Sequence, residues 1–302
     1  MVHDSDGEAS TPPSRLRNYS PADLAAWETR RLEKESRWDS RNRPLSTAEV
    51  ARYHDDGVLG PVPVLNGDEA SSLLARLSRV VAEEEERAGG EWWDREFYPQ
   101  QQDDHPLNVQ WLDDLVTDPR VLNPVQCLIG EDILIQNVAV FWKEPESERG
   151  QAWHRDLYEA VDPAFMVTVW IALTPSDEGS GCVRFLAGSH EIHRAERPSD
   201  EALAAIPHDM AVSMELAPGE ASFHNAGVLH ASAPNGSWRP RVGIALRYVG
   251  SQVDRGAEGD ILQATLVRGA DTGGQYRLIP RYCVAWWSAG APRRLWNTRP
   301  VE

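Results

Sequence analysis

The feature that most constrains the fold of this chain is a change in sequence pattern after Gly130, from helix-forming to strand-forming segments. Helix signals come before it. After it, five runs rich in β-branched, aliphatic and aromatic residues are separated by clusters of glycine, proline, asparagine and aspartate. The runs cover residues 133–142, 166–173, 182–186, 221–224 and 242–249. Helices followed by strands predict an α+β fold, mainly β, around a β-sandwich or barrel.

Local signals ahead of the strands predict three helices. Ser46 followed by Glu49 is a capping-box pattern, in which each residue satisfies a backbone N–H near the other. The predicted helices cover residues 46–56, 68–88 and 118–128, and a short strand-like piece covers 58–62. These helices should flank the N-terminal side of the β core.

The domain organisation predicted from the sequence is an N-terminal extension, residues 1–43, followed by one domain, residues 44–302. A chain of this length can build one large β domain with added helices, and no long linker divides it. In the extension, a helix with Pro21 in its first turn is predicted through about Trp38. It could pack on the domain or lie over a pocket.

Charge and composition exclude several classes of partner. The formal net charge of −17 would repel phosphate backbones and anionic membranes, so no nucleic-acid or membrane partner is predicted. The charge indicates a soluble surface, and a cationic substrate steered to an acidic pocket mouth is the alternative. No run of apolar residues is long enough for a transmembrane helix.

The expected location is the cytoplasm. The first eight residues are acidic and polar, which predicts no secretory signal. Cys127, Cys182 and Cys283 are widely spaced and odd in number, which favours free thiols in a reducing compartment over a disulfide framework.

The stretch Trp153-His154-Arg155-Asp156 carries the candidate chemistry. In a strand, residues two apart point to the same face, so His154 and Asp156 could present an imidazole and a carboxylate to one metal ion. A His-X-Asp alone can equally be a surface histidine beside an acid. His230, from a distant strand, would complete a two-histidine, one-carboxylate triad of the kind found in non-haem iron(II) oxygenases. His224, close before it, is expected to be a supporting or structural residue.

Arg241 follows His230 at the start of a predicted strand. The guanidinium fork suits bidentate capture of the far carboxylate of a dicarboxylic acid, which a lysine matches less well. The order of triad and arginine therefore indicates a metal site with a dicarboxylate clamp.

These motifs resemble the phytanoyl-CoA dioxygenase family of iron(II), 2-oxoglutarate-dependent oxygenases. The matching text is Lys143–Pro145, Trp153–Asp156, Thr168–Leu173, Gly181–His190 and His230–Asn235, and the similarity runs from about Leu45 to Pro280. The resemblance implies a double-stranded β-helix (jelly-roll, cupin-like) core with the metal inside one open end. It also implies Fe(II) as cofactor, with 2-oxoglutarate and dioxygen as cosubstrates.

Site residues can be carried over from the resemblance position by position. His154, Asp156 and His230 are the implied catalytic metal ligands. The implied cosubstrate residues are Arg241, with Ser232 beside it, and Trp170 and Gln136 in the pocket wall; a strand glutamine could equally be exposed.

Candidate substrate contacts fall in two groups. His105 and Asn108 lie before the core strands, where this family places loops that face substrate or cosubstrate. Trp153, Tyr158 and Trp238 cluster around the expected mouth and could hold an apolar or cationic substrate, although tryptophans mostly serve packing.

The chain is also similar to the branch of the family that contains halogenases acting on amino acids, through Asp56–Pro61 and Leu266–Gly269. Those halogenases have a small residue in place of the carboxylate ligand, so that chloride can bind the metal. Asp156 fills that position here. The resemblance therefore implies hydroxylation, or a desaturation, epoxidation or ring formation, and not chlorination.

The predicted function is oxidation of a C–H bond in a small metabolite, with a natural-product intermediate favoured, and release of succinate and carbon dioxide. A carrier-protein-tethered amino acid or an acyl thioester is the alternative substrate. A non-catalytic metal-binding family member and a zinc or manganese isomerase on the same barrel are alternatives from other classes. The oligomeric state is left open.

Overall fold

The computed structural model describes residues 43–88, 110–156, 163–191, 210–253 and 263–278. The predicted helix at residues 21–38 lies outside these ranges, as do His105, Asn108, Tyr158 and Cys283. The division of the chain at residue 43 falls at the edge of the described part and stays a prediction.

Within the described residues, four α-helices come before the long strand that starts at Ile133, and the three that the sequence predicts are among them. They are α1 (Thr47–Asp56), α2 (Gly67–Ala88), α3 (Gln110–Val116) and α4 (Pro119–Ile129). The predicted capping box is present at α1, where Ser46 Oγ accepts from the Glu49 N–H and the Glu49 carboxylate accepts from the Ser46 N–H. The helix ends at Gly57, whose φ of 74° lies in the left-handed region that favours glycine. The seven-residue α3 was not predicted.

Eleven strands are described. They are β1 (Val58–Pro63), β2 (Ile133–Lys143), β3 (Gln151–His154), β4 (Met166–Ala172), β5 (Val183–Phe185), β6 (Val212–Met214), β7 (Glu220–Asn225), β8 (His230–Ser232), β9 (Arg241–Gly250), β10 (Gln263–Arg268) and β11 (Arg277–Leu278). All five predicted runs are strands, and so is the short piece that is now β1. The sequence did not predict β6, β10 and β11 as strands. It expected His154 and His230 on strands, now β3 and β8, but gave no bounds for them, because most of these strands are too short to show an alternating pattern.

The strands form two sheets. One has seven strands in the order β1-β7-β4-β9-β2-β10-β11, and the other has four in the order β3-β8-β5-β6. Within the described ranges, β10 with β11 is the one parallel pair among the ladders. This arrangement of large antiparallel sheets is the predicted jelly-roll core, so the fold prediction is confirmed.

The two faces of the seven-stranded sheet have different partners. On one face, side chains of β2, β4 and β9 pack with residues of all four helices in one large apolar cluster. On the other face, Ala139, Trp170 and Ala245 pack with Val183 and Phe185 of the smaller sheet. Because both faces are covered, β4 and β9 are buried along their whole length. The cavity described below lies between the two sheets.

Two further predictions concern the described part of the chain. Cys127 and Cys182 are both free thiols there. A search of the helices in these ranges finds none with the length and apolar character needed to span a bilayer.

Candidate metal centre and dicarboxylate pocket

Strand pairing brings His154 and His230 together. His154 is the last residue of β3, His230 is the first of β8, and the two are direct partners in the antiparallel ladder. Their ring centroids are 4.1 Å apart. Asp156 was predicted to share the strand of His154, but β3 ends at His154 and Asp156 lies just beyond it. The carboxylate still reaches the same point, with Oδ1 4.0 Å from His230 Nε2.

The three side chains present one donor atom each, all within 4.8 Å of one another. His154 Nδ1 lies 2.9 Å from the Ala152 carbonyl oxygen and His230 Nδ1 lies 3.1 Å from that of Val228. A carbonyl oxygen only accepts, so each Nδ1 carries the hydrogen and each Nε2 has the lone pair; that of His154 faces the Gln151 side-chain amide at 3.2 Å. Burial lowers the pKa of His230 to about 3, which keeps this imidazole in the neutral form that metals bind.

The carboxylate of Asp156 is held by donors on both oxygens. Arg247 Nη2 donates to Oδ1 at 2.9 Å, and Thr168 Oγ1 donates to Oδ2 at 2.8 Å. His224 Nε2 lies 3.3 Å from Oδ2 and is thus a supporting residue. Burial alone would raise the pKa of Asp156, but the charge of Arg247 and the hydrogen bond from His224 hold it well below its usual range. The group is therefore an anion.

This donor set fits iron(II). Two neutral imidazoles and one carboxylate on one side of a point leave the other side open, which is the arrangement of non-haem iron(II) oxygenases. Arg247 also donates to Asn137 Oδ1 at 3.0 Å, so the arginine bridges Asp156 to β2. The assignment of the three residues as ligands stays a prediction, and their convergence supports it.

The second charged feature of the cavity is Arg241, the first residue of β9. It is 1% exposed, and its Nη2 is buried without a hydrogen-bond partner. The contact from its Nε to Ser176 Oγ is long, at 3.4 Å. Burial lowers the pKa of Arg241 to about 10, which still leaves the guanidinium protonated at neutral pH. A buried cation with an unsatisfied donor is costly, so this end of the cavity suits an anion.

Trp170 forms one wall beside the arginine. The Arg241 guanidinium carbon lies 4.5 Å from the centroid of the Trp170 ring. On neighbouring β9, a Cβ added at Gly243 would come within 2.1 Å of the same ring. Because residue 243 is a glycine, the Trp170 indole has the space to lie against the Arg241 guanidinium.

One cavity contains both features. It is lined by the three candidate ligands, Arg241, Ser232, Trp170, Gln151, Thr168, His224 and Arg247, with apolar residues between them. Metal donors and the buried arginine therefore face the same space.

The remaining candidate residues lie elsewhere in the described structure. Gln136 is not part of this lining; it lies at an irregularity in the β2–β9 ladder, with Oε1 buried and unpartnered. Trp153 is buried and packs with Leu229 and Ala231. Trp238 is 81% exposed. Roles for these three residues in cosubstrate or substrate binding stay predictions.

Four polar residues of this region were assigned no role from the sequence: Lys143, Gln151, Thr168 and Arg247. Gln151 Nε2 lies 3.2 Å from His154 Nε2, and Lys143 Nζ donates to Ser232 Oγ at 2.8 Å. A usable signal existed for Arg247, because an arginine within an otherwise apolar strand must find a buried partner. Lys143 had a weaker one, its place in the matching stretch Lys143–Pro145.

Comparison with known proteins adds the following findings. A model of the phytanoyl-CoA dioxygenase (PhyH) family matches residues 53–243. An ectoine dioxygenase from Streptomyces avermitilis is 24% identical over 237 residues, which are 68% of this chain and 79% of that protein.

Two solved structures are similar over most of the chain. The non-heme monooxygenase ThoJ in complex with nickel is 30% identical, with a TM-score of 0.62 over 77% of this chain and 88% of that one. The epimerase SnoN, in complex with Fe3+, alpha ketoglutarate and nogalamycin RO, is 22% identical. Its TM-score is 0.56 over 78% of this chain and 97% of that one, a likeness of fold.

Proposed function

The chain belongs to the phytanoyl-CoA dioxygenase family, and from that premise we propose that it hydroxylates a C–H bond of a small metabolite. It is an iron(II)- and 2-oxoglutarate-dependent oxygenase. The observation that carries the proposal is the presence, in one cavity, of three converging metal donors and a buried arginine with an unsatisfied donor. Together they match a metal ion and a dicarboxylate.

In this proposal His154, Asp156 and His230 hold the iron. Bound iron(II) supplies the oxidising chemistry, using dioxygen and 2-oxoglutarate and releasing succinate and carbon dioxide. The residues around the metal orient its ligands: the Ala152 and Val228 carbonyls fix the two imidazoles, and Arg247 and Thr168 fix the carboxylate. Side chains fixed in this way would present their donor atoms to a metal ion at one point of the cavity wall.

Arg241 and Ser232 bind the far carboxylate of 2-oxoglutarate in this account, and Trp170 supports the arginine. Burial of Arg241 strengthens the attraction, since water does not screen it. The cosubstrate is then held at both ends and excludes water from the cavity. Positioning of this kind is the protein's main contribution in cofactor-based oxidation.

Hydroxylation is proposed over chlorination because Asp156 occupies the position that chloride needs. Its carboxylate is fixed by Arg247, Thr168 and His224, so it has little freedom to leave the metal side. Other C–H oxidations, namely desaturation, epoxidation and ring formation, are the alternative outcomes on the same site. Reactions vary widely on this fold, since SnoN is named an epimerase.

The proposed substrate is a small natural-product intermediate, polar or amine-bearing. The support is the similarity to enzymes named ectoine dioxygenase and non-heme monooxygenase, and a formal net charge of −17 that favours cations. A carrier-protein-tethered amino acid is the alternative substrate. His105, Asn108, Trp153, Tyr158 and Trp238 remain the candidate substrate contacts. We propose a cytoplasmic location, since the three cysteines of the sequence are widely spaced and odd in number, which favours a reducing compartment.

Succinate release tests the proposal. With Fe(II), 2-oxoglutarate and a library of small amine-bearing metabolites, the wild-type protein should release succinate in step with a product heavier by one oxygen atom. Asp156→Ala should lose this coupling, because the carboxylate ligand is gone. An Asp156→Ala protein that couples turnover at the wild-type rate contradicts the ligand assignment. A Glu146→Gln protein, changed at a surface residue away from the cavity lining, is the control.

A further inference from the structure

We propose that Lys143 is a positioning residue of the cosubstrate site, which makes the Ser232 hydroxyl a hydrogen-bond donor to the far carboxylate of 2-oxoglutarate. The proposal rests on the proposed function, in which Arg241 and Ser232 bind that carboxylate. It adds a residue behind the pocket wall that sets the direction of one hydrogen bond inside the pocket.

The first support is the position of Lys143. It is the last residue of β2 and the direct partner of Arg241 on β9. Its side chain reaches across to the loop side of the smaller sheet, where it meets Ser232, Ala233 and Gly181. Ser232 lines the cavity together with Arg241, whereas Lys143 is not part of the lining. Lys143 therefore contacts the pocket through Ser232.

The second support is the hydrogen-bond inventory of the ammonium group. Lys143 Nζ donates to Ser232 Oγ at 2.8 Å, to the Ala233 carbonyl oxygen, and at 3.4 Å to the Gly181 carbonyl oxygen. An ammonium group has three hydrogens and no lone pair, so these three acceptors use its whole capacity. None of its hydrogens is left for a ligand in the cavity.

The consequence falls on Ser232. Its oxygen accepts from Lys143, which leaves the single hydroxyl hydrogen for a different acceptor. A carboxylate bound by Arg241 is the acceptor that suits both the hydroxyl hydrogen and the unsatisfied Nη2 of the arginine. Lys143 in its ammonium form thus fixes Ser232 as a donor toward the pocket.

Charge adds a measurable signature. Burial, and then the neighbouring charge of Arg241, lowers the pKa of Lys143 to about 7. The charged and titratable groups that face Lys143 are Arg241 on β9 and Cys182 just before β5. Burial raises the pKa of the Cys182 thiol, which keeps it uncharged near neutral pH. A carboxylate placed between Arg241 and Ser232 favours the ammonium form, so its binding raises the pKa of Lys143.

The sign of the linkage follows from this direction. At a pH somewhat above 7, Lys143 is partly neutral in the ligand-free protein and protonated in the complex. Binding of 2-oxoglutarate then takes up protons, and the uptake disappears at low pH, where Lys143 is protonated in both states. A lysine remote from the bound carboxylate would show neither effect, and the dependence on Ser232 is what separates positioning from charge alone.

The test is calorimetric titration of 2-oxoglutarate into protein loaded with Mn(II), a redox-stable substitute for Fe(II), in two buffers of different ionisation enthalpy. Lys143→Met and Ser232→Ala should each weaken 2-oxoglutarate binding about 10-fold, the range for a hydrogen bond to a charged group. The 2-oxoglutarate affinity of the double variant should lie within about 2-fold of that of either single variant, since one residue acts through the other. Lys143→Met should also lose the proton uptake.

Controls separate this role from a structural one. Ser222→Ala removes another buried hydroxyl, one without a partner and outside the cavity lining, and should bind 2-oxoglutarate as the wild type does. Lys143→Arg keeps a cationic donor and should recover part of the lost affinity. Mn(II) affinity, measured first for each variant, should stay unchanged because the metal donors lie at the other end of the cavity.

The outcomes distinguish two failures. If the wild-type protein binds Mn(II) but no 2-oxoglutarate, both the proposed function and the role of Lys143 are contradicted. If the wild type binds 2-oxoglutarate, and Lys143→Met binds it equally with the same proton uptake, the role of Lys143 alone is contradicted. Additive losses in the double variant contradict the route through Ser232. Should Lys143→Met fail to fold, Lys143→Arg in the same two buffers decides, because an arginine stays protonated and must therefore abolish the proton uptake.

Discussion

The two ends of the cavity differ in how far the protein alone satisfies their charges. At the metal end, Asp156 has hydrogen-bond donors on both oxygens, and its charge is matched by Arg247. At the other end, Arg241 keeps a buried nitrogen without a partner, and the neighbouring charge is the cation Lys143. At the metal end the charges are paired before any ligand binds. At the arginine end a positive charge is left for an anionic ligand to balance.

This difference has a physical consequence. Orientation of metal ligands needs a rigid, satisfied environment, and a paired buried carboxylate provides it. Selection of a dianionic cosubstrate needs the opposite, an excess of positive charge in a place that water screens poorly. Variants at the metal end should therefore change the stability of the ligand-free protein, and variants at the arginine end should change cosubstrate binding.

The largest effect is expected from Arg247→Met. It removes the partner of Asp156 and leaves a buried carboxylate whose charge is no longer matched, which typically costs about 3–5 kcal/mol of unfolding free energy. Urea unfolding of the ligand-free protein measures the loss. A loss below about 1 kcal/mol would show that water or a rearrangement replaces the arginine, and the metal end would not be preassembled.

Arg241→Met should give the opposite pattern. The side chain is buried and its Nη2 is unsatisfied, so an apolar replacement should leave the unfolding free energy of the ligand-free protein unchanged or raise it. Affinity for 2-oxoglutarate should fall by about 100-fold or more, as expected when one partner of a buried charge pair is removed. Urea unfolding of the ligand-free protein gives the unfolding free energy, and the same series repeated with Mn(II) and 2-oxoglutarate gives the change in affinity. If Arg241→Met destabilises the ligand-free protein as much as Arg247→Met does, the contrast between the two ends is wrong.

A smaller effect is expected from Gly243→Ala. The added Cβ would overlap the Trp170 ring. The ring must then shift, which changes its contact with the Arg241 guanidinium. We expect about 10-fold weaker 2-oxoglutarate binding, the size of a modest overpacking cost, and unchanged Mn(II) affinity. Gly67→Ala is the matched control, because a Cβ there meets no atom within 4 Å. Equal losses of metal and cosubstrate affinity would mean that the shift spreads to both ends.

Thr168→Val should have the smallest effect. It keeps the shape of the side chain and removes the donor to Asp156 Oδ2, while Arg247 and His224 remain. Because two donors to the carboxylate remain, we expect a loss at the low end of the about 0.5–1.5 kcal/mol that a typical hydrogen bond contributes. We expect a modest drop in Mn(II) affinity in direct titration, and 2-oxoglutarate affinity of the loaded protein close to that of the wild type. A larger effect on the cosubstrate than on the metal would contradict the division of roles.

The sequence predicted the long elements and the order of the motifs. Strands β2, β4 and β9 have apolar runs long enough to recognise, and Ser46 with Glu49 marks the start of α1. The spacing of His154 and Asp156 and the later Arg241 pointed to side chains that do share one cavity. The reaction type, by contrast, depends on where a substrate sits, and no local pattern encodes that.

What the sequence missed depends on which strands become neighbours. Lys143 and Arg241 are far apart in the chain, and only the β2–β9 register places them opposite each other. The same holds for Arg247, whose partners Asp156 and Asn137 lie on separate segments. Strands β3 and β8 are too short for an alternating pattern, so the direct pairing of His154 with His230 could not be read from periodicity.

The central claim is that one cavity holds iron at one end and the far carboxylate of 2-oxoglutarate at the other. Anaerobic titration of the Fe(II)-loaded protein with 2-oxoglutarate tests it most directly. We predict a weak visible charge-transfer band that saturates for the wild type, needs about 100-fold more 2-oxoglutarate for Arg241→Met, and is lost when Asp156→Ala no longer retains the metal. A wild-type protein that binds Fe(II) and shows no band, or an Arg241→Met protein that titrates like the wild type, would contradict the account.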